Sequence, residues 1–279
     1  METGRASRTA FRVAHRRAVH QVLDQPSILH DPIAIPLLGT EFAIDRDRES
    51  HPLARAFRAF MAARSRFAED ELAGAIKRGV RRYVVLGAGL DTFAYRNNYV
   101  DLRVFEVDFP ATQQWKRALL ANAGIEAPPN LMFVPLDFEH QTLGEGLRQA
   151  GLKMTEPAFF GWLGVVPYLS LEAFRSTIAT IAQLPHPTAV TFDFAISPKL
   201  LGPRARAAFE LLAARVAAAG EPFQLFFEPQ ELEGELRRAG FSEVELTGAD
   251  DLNARYFTGR ADGLALPSPG LGMMATARI

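Results

Sequence analysis

The chain has 279 residues, 48% of them hydrophobic and 23% charged, enough for a sizeable core in one large α/β domain. A formal net charge of −1 lacks the basic footprint of a nucleic-acid binder, and the absence of cysteine excludes disulfides and thiolate metal sites. No apolar run is long enough to cross a bilayer, and the basic opening METGRASRTAFRVAHRR has no apolar centre of a secretory signal, so a cytoplasmic protein is expected.

Residues 6–24 have helical character, with Phe11, Val19, Val22 and Leu23 able to share an apolar stripe. A turn-rich segment follows, marked by Pro26, Pro32 and Pro36, and residues 51–79 then read as one long helix or two, ended by Gly79. From residue 81 the pattern alternates. Strands are expected at 84–89, 102–108, 131–137, 158–166 and 188–196. Helices are expected at 110–124, opened by Pro110, at 142–150, and at 170–183 with Ser170 as N-cap. Two more helices, 202–219 and 229–239, precede two late strands, 241–247 and 272–279, separated by an irregular segment 250–270. This alternation predicts a doubly wound, mostly parallel α/β sheet, with the late strands pairing at its edge, one of them antiparallel. With no internal repeat or linker, the expectation is one domain, 1–279: a helical cap over 1–80 and a Rossmann-like core over 81–279.

The first strand runs into Gly87-Ala88-Gly89. Two glycines of the dinucleotide pattern G-x-G-x-x-G are present, but Thr92 holds the third place, which weakens a nicotinamide reading. There is no P-loop. A bare G-x-G also fits a tight turn that needs glycine for its backbone alone. The second strand ends in Glu106-Val107-Asp108, with both acids on one face of the strand. An acid there can accept hydrogen bonds from the ribose hydroxyls of a nucleoside. The third strand ends in Asp137-Phe138, where a carboxylate can accept from an adenine amino group and an aromatic ring can pack nearby. Three consecutive strands ending in this way describe an adenosine pocket.

The segments VVLGAGLDTFAYR, VFEVDFP, VPLDF and FFGWLGVVPYLS, with Gly240-Phe241 and ARYFTGRADGL near the end, resemble the leucine carboxyl methyltransferase-like family, in particular its bacterial branch of S-adenosylmethionine-dependent O-methyltransferases. The resemblance runs from about residue 7 to the C-terminus. It implies a seven-stranded sheet of the class I methyltransferase type, S-adenosyl-L-methionine as cofactor and a small-molecule methyl acceptor. It also implies site residues. Arg64, in MAARSRFAED, would bind the methionyl carboxylate, and Gly87, Ala88 and Gly89 would lie along the methionine part. Asp108, with Glu106 as second choice, would bind ribose, and Asp137 and Phe138 would contact adenine. Read without the resemblance, Arg64 fits a bidentate carboxylate clamp but also a plain helix-surface position. One departure stands out: Leu163 occupies the place where the leucine carboxyl methyltransferases proper carry Glu, which puts a protein-phosphatase substrate in doubt.

A sulfonium methyl is already activated, so orientation carries most of the rate, and a carboxylate acceptor needs no general base. No histidine falls at a strand end, although His15 and His20 lie on a first helix that could cover the pocket. Trp162, Tyr168 and Tyr256 are substrate-side candidates, with plain core packing as the alternative for each. Asp193, within strand five, has no partner acid or histidine at useful spacing, so no metal is expected. Two other readings stay open: a nicotinamide-dependent oxidoreductase, against which stand Thr92 and the lack of a Tyr-x-x-x-Lys pair at Tyr168, and a non-catalytic adenosine-binding regulator.

Overall fold

A computed structural model describes residues 8–137, 141–218 and 220–279. The N-terminal region is helical: α1 (Arg8–Leu23), α2 (Ala34–Leu38), α3 (Arg46–Ser50) and α4 (Pro52–Lys77). α4 is one continuous helix. Pro52 at its first turn has no N–H to leave unpaired, and Gly79, at φ +98°, turns the chain out of it. The expected stripe on α1 is only partly right. Ala14, Ala18 and Val19 have no exposed surface, whereas Val22 is 40% exposed. Small residues here let α1 approach α4 closely, and ion pairs fill the rest of the contact. Arg58 of α4 binds Asp24 through two nitrogens (2.7 and 2.9 Å) and Glu49 at 2.8 Å, all three being buried.

The remaining elements alternate: β1 (Arg82–Leu86), α5 (Phe93–Arg96), β2 (Arg103–Asp108), α6 (Pro110–Asn122), β3 (Leu131–Pro135), α7 (Leu143–Gln149), β4 (Phe159–Trp162), α8 (Leu171–Ile181), β5 (Ala189–Ala195), α9 (Pro203–Ala217), α10 (Pro229–Ala239), β6 (Glu243–Thr247), α11 (Ala249–Tyr256) and β7 (Gly272–Arg278). The seven strands form one sheet in the order β3-β2-β1-β4-β5-β7-β6. The first five are parallel, and β7 runs antiparallel between β5 and the edge strand β6. The late strands therefore pair as the sequence predicts.

Two differences from the sequence reading have local causes. The fourth strand is four residues long rather than nine, because Gly164 takes φ +71° and Val166–Tyr168 winds into a 3-10 turn around Pro167. The segment taken as irregular contains α11, eight residues whose Leu252 is buried against Phe67 and Met274. Its one large aliphatic residue is Leu252, with Ala249 and Tyr256 packed beside it, too little for periodicity to reveal.

The sheet is buried on both faces. Phe160, Phe192 and Phe194 face a core shared with α8 and α10, while Tyr83, Val85 and Phe159 face the other side. Burial of each such aromatic contributes roughly 1.5–3 kcal/mol. Because side chains alternate along β5, Asp193 lies on the face opposite Phe192 and Phe194, the face covered by α4.

Candidate cofactor site at the carboxyl ends of the strands

The parallel strands end side by side, and each end carries one of the predicted groups. After β1, Gly87 and Gly89 take φ +64° and +48°, which a side chain rarely adopts. Space forbids one as well. A Cβ on Gly87 would lie 2.4 Å from Val165, and one on Gly89 would lie 3.1 Å from Ala10 of α1. Ala88, between them, is buried and its N–H donates to Val107 O (3.1 Å).

Asp108 ends β2. Its Oδ2 accepts the Gly89 N–H (2.5 Å) and its Oδ1 accepts the Phe109 N–H (2.7 Å). Burial raises the carboxyl's pKa, and these two backbone donors work against that rise by favouring the charged form. The Thr112 side chain bonds to the carboxylate as well, and with about four acceptor sites the group retains capacity for a further donor. Glu106 is placed differently. It is fully buried, with Oε2 against Lys116 Nζ of α6 at 2.6 Å, and burial pushes it up to about 7 despite that cation. It ties β2 to α6 rather than standing beside Asp108 at the strand end. After β3, Asp137 is half-buried, and its backbone carbonyl accepts from Gln141 N (2.9 Å). Phe138 lies outside the described residues.

Arg64 projects from α4 to the ends of β4 and β5. It is buried, its Nη1 donates to Asp193 Oδ2 (2.9 Å), and its Nε is buried without a partner. Gly164 lies against the guanidinium: a Cβ there would stand 2.8 Å from Nη2. Val165, the next residue, touches the Gly87 position. The chain of contacts Asp193, Arg64, Gly164, Val165 and Gly87 thus joins Arg64 to the glycine turn, although 23 positions separate residues 64 and 87 in sequence.

The substrate-side candidates diverge. Trp162 is 3% exposed and stacked on Phe174, with 5.7 Å between centroids, so it is core. Tyr256 donates to Asp70 of α4 (2.8 Å), six residues and about 9 Å along the helix from Arg64. Tyr168 closes the 3-10 turn that follows β4. It is half-buried against Phe223 with centroids 5.3 Å apart, and burial pushes its phenol up to about 12 while Arg64 draws it down. Sequence reading missed Phe223 as its partner because the two lie 55 positions apart.

Both α1 histidines are engaged. His15 Nε2 bonds to Ala43 O (2.8 Å). His20 Nε2 accepts from Ile28 N–H (3.1 Å), so Nδ1 carries the proton toward Asp24 (2.9 Å). Among the described residues no group of three or more His, Cys, Asp or Glu is placed to hold a metal ion. None of their helices is long and apolar enough to cross a membrane.

The seven-stranded sheet, with a glycine turn after β1, an acid bonded to that turn from β2 and a buried arginine beside β4 and β5, is an α/β sheet of the class I methyltransferase type. The same sheet recurs in a DUF574 family protein from Streptomyces avermitilis (TM-score 0.60, 20% identity, covering 87% of this chain and 94% of that one). It recurs too in a structure described as a putative methyltransferase from Thermobifida fusca (TM-score 0.57, 20% identity, 87% and 91%). At that identity these likenesses concern the fold. The leucine carboxyl methyltransferase family model matches residues 10–182. A Bacillus subtilis relative described as the putative S-adenosyl-L-methionine-dependent methyltransferase YktD is 32% identical, over 95% of this chain and 96% of its own length. The chain belongs to the leucine carboxyl methyltransferase family. By that membership it is a methyltransferase, with S-adenosylmethionine as its cofactor.

Proposed function

We propose that the protein is an O-methyltransferase whose acceptor is a carboxylate or hydroxyl group of a small molecule, acting in the cytoplasm and not on nucleic acid. The observation that carries the cofactor side of this reading is the Asp108 carboxylate bonded to the Gly89 N–H at the adjoining ends of β1 and β2. In this reading Asp108 accepts from the ribose hydroxyls and Asp137 from the adenine amino group. The glycine turn leaves room for the methionine part, and Arg64 takes its carboxylate through the buried Nε that has no protein partner. Bound there, the cofactor supplies an activated methyl carbon.

The chain's own task is then to orient the acceptor and exclude water. Tyr168, which lies within reach of the Arg64 charge, forms an aromatic wall with Phe223, and these are the residues proposed to hold the acceptor. Trp162, stacked on Phe174 in the core, is left a supporting role. Tyr256 stays a proposal as a residue of the outer mouth through α11. With both α1 histidine rings held by other partners, an acceptor that needs no general base fits best, which favours a carboxylate over an alcohol.

The nicotinamide alternative loses support from Thr92. Its side chain donates to the buried Asp31 (2.7 Å), so the third glycine position anchors the N-terminal region instead of admitting a pyrophosphate. Calorimetric titration of the protein with S-adenosylmethionine, S-adenosylhomocysteine and NAD(H), repeated on Asp108→Ala, tests the site. Micromolar binding of the first two, lost in the variant, is expected. Tight NAD(H) binding alone would overturn the reading, and turnover with a panel of carboxylic and phenolic acceptors separates an enzyme from a non-catalytic binder.

A further inference from the structure

Asp193 is an acid in the middle of a strand with every residue buried, on the face that α4 covers. Such a group is expensive to bury unless both oxygens are satisfied. Here they are. Oδ2 accepts from Arg64 Nη1 (2.9 Å) and Oδ1 accepts from the Gly164 N–H (2.6 Å). Leu163, one residue before Gly164, packs with Ala59, Ala63 and Phe67 and brings no charge, so the carboxylate facing Arg64 comes from the neighbouring strand β5.

The pairing leaves Arg64 in an unusual state. Its charge is matched at Nη1, its plane is held against Gly164, and its Nε is buried with no acceptor. A buried unpaired donor costs about 1–3 kcal/mol, and an incoming carboxylate would remove that cost. A long arginine side chain has many rotamers; one bond at Nη1 and a glycine against its face remove most of them.

We propose that Asp193 is a positioning residue of the cofactor site. It holds the Arg64 guanidinium and the Gly164 turn in the one arrangement that presents Arg64 Nε to the methionyl carboxylate. This rests on Arg64 being the carboxylate ligand. It predicts an effect confined to the amino-acid end of the cofactor, because the ribose and adenine groups, Asp108 and Asp137, stand on other strands.

The test compares two ligands by calorimetry: S-adenosylhomocysteine, which has the carboxylate, and 5′-methylthioadenosine, which lacks it. Asp193→Ala is expected to weaken the first roughly 10- to 100-fold, the loss of one charge-assisted bond, and to leave the second within about twofold. Arg64→Ala should do the same, and the double variant should be no worse than either single one. Equal loss for both ligands in Asp193→Ala would mean a merely structural role and would overturn the proposal. So would no loss for either. If Arg64→Ala discriminates the ligands and Asp193→Ala does not, the Arg64 assignment stands and the Asp193 proposal falls. If neither discriminates, both fall. Should Asp193→Ala fail to fold, Asp193→Asn keeps an acceptor while removing the charge, and the same preferential loss, smaller in size, is expected.

Discussion

The Gly89 N–H donates to the Asp108 carboxylate at 2.5 Å, across nineteen residues of sequence, and this bond joins the turn after β1 to the end of β2. It means that the acid proposed for ribose is also the acid that shapes the glycine turn. One substitution should therefore report on both.

Asp108→Ala is expected to weaken S-adenosylhomocysteine binding roughly 10- to 100-fold, in line with lost hydrogen bonds to a charged group. Asp108→Asn should fall between, since its amide still accepts from one backbone donor. Calorimetric dissociation constants for the three proteins check this, and an unchanged affinity in Asp108→Ala would remove Asp108 from the site.

Gly87 and Gly124 have nearly the same backbone, φ +64° and +66°, but Val165 crowds the first and nothing lies within 4 Å of the second. Gly124→Ala should cost only the left-handed strain, about 1–2 kcal/mol. Gly87→Ala adds a clash of roughly 1–3 kcal/mol. Urea denaturation of both variants separates the two contributions. Equal losses would show that Val165 can move aside.

Burial pushes Glu106 up to about 7 from its ordinary 4.5, while Lys116 works against the rise. The folded protein thus holds this proton more tightly than the unfolded chain. Its contribution to stability is complete below about pH 4.5 and is lost as pH rises toward about 7. The double variant Glu106→Gln, Lys116→Met removes both charges together, so it is expected to fold and to lack that part of the pH slope. Denaturation midpoints between pH 4.5 and 8 would show a parallel decline in both proteins if Glu106 is not the group responsible.

Arg58 serves Asp24 and Glu49 at once, with all three buried. Arg58→Ala takes one partner from each acid, leaving Asp24 with His20 and Glu49 with Arg16, and is expected to cost about 3 kcal/mol, the low end for a broken buried pair. Asp24, despite burial, is drawn down to about 2 by His20 and Arg58. The contribution it makes in the native protein is present above its ordinary 3.8 and lost as pH falls through about 2. Acid denaturation should accordingly be steep between pH 4 and 2, and shallower in Arg58→Ala.

The glycine turn and Asp108 were legible because both are local signals: a strand pattern followed by residues that only a turn or a ligand explains. Glu106 shows the limit of that reading. It shares a strand face with Asp108, and only the position of Lys116 on α6 reveals that one of its oxygens is already paired in the core. Tyr168 and Trp162 looked equivalent as aromatics near one strand end. The turn at Gly164 leaves one at the rim and sends the other into the core against Phe174.

What the amino-acid sequence alone determined is the α/β alternation, the seven strands and the turn and acidic residues that follow the first three, since hydrophobic period and turn residues act over a few neighbours. What only the tertiary structure decided is which charges meet. Arg64 and Asp193 lie 129 positions apart, and Thr92 and Asp31 lie 61 apart. No local pattern encodes either pairing. They form because packing α4 and the segment after α1 against the sheet removes these groups from water and leaves Asp193 as the partner of Arg64, and Thr92 with Arg17 as partners of Asp31.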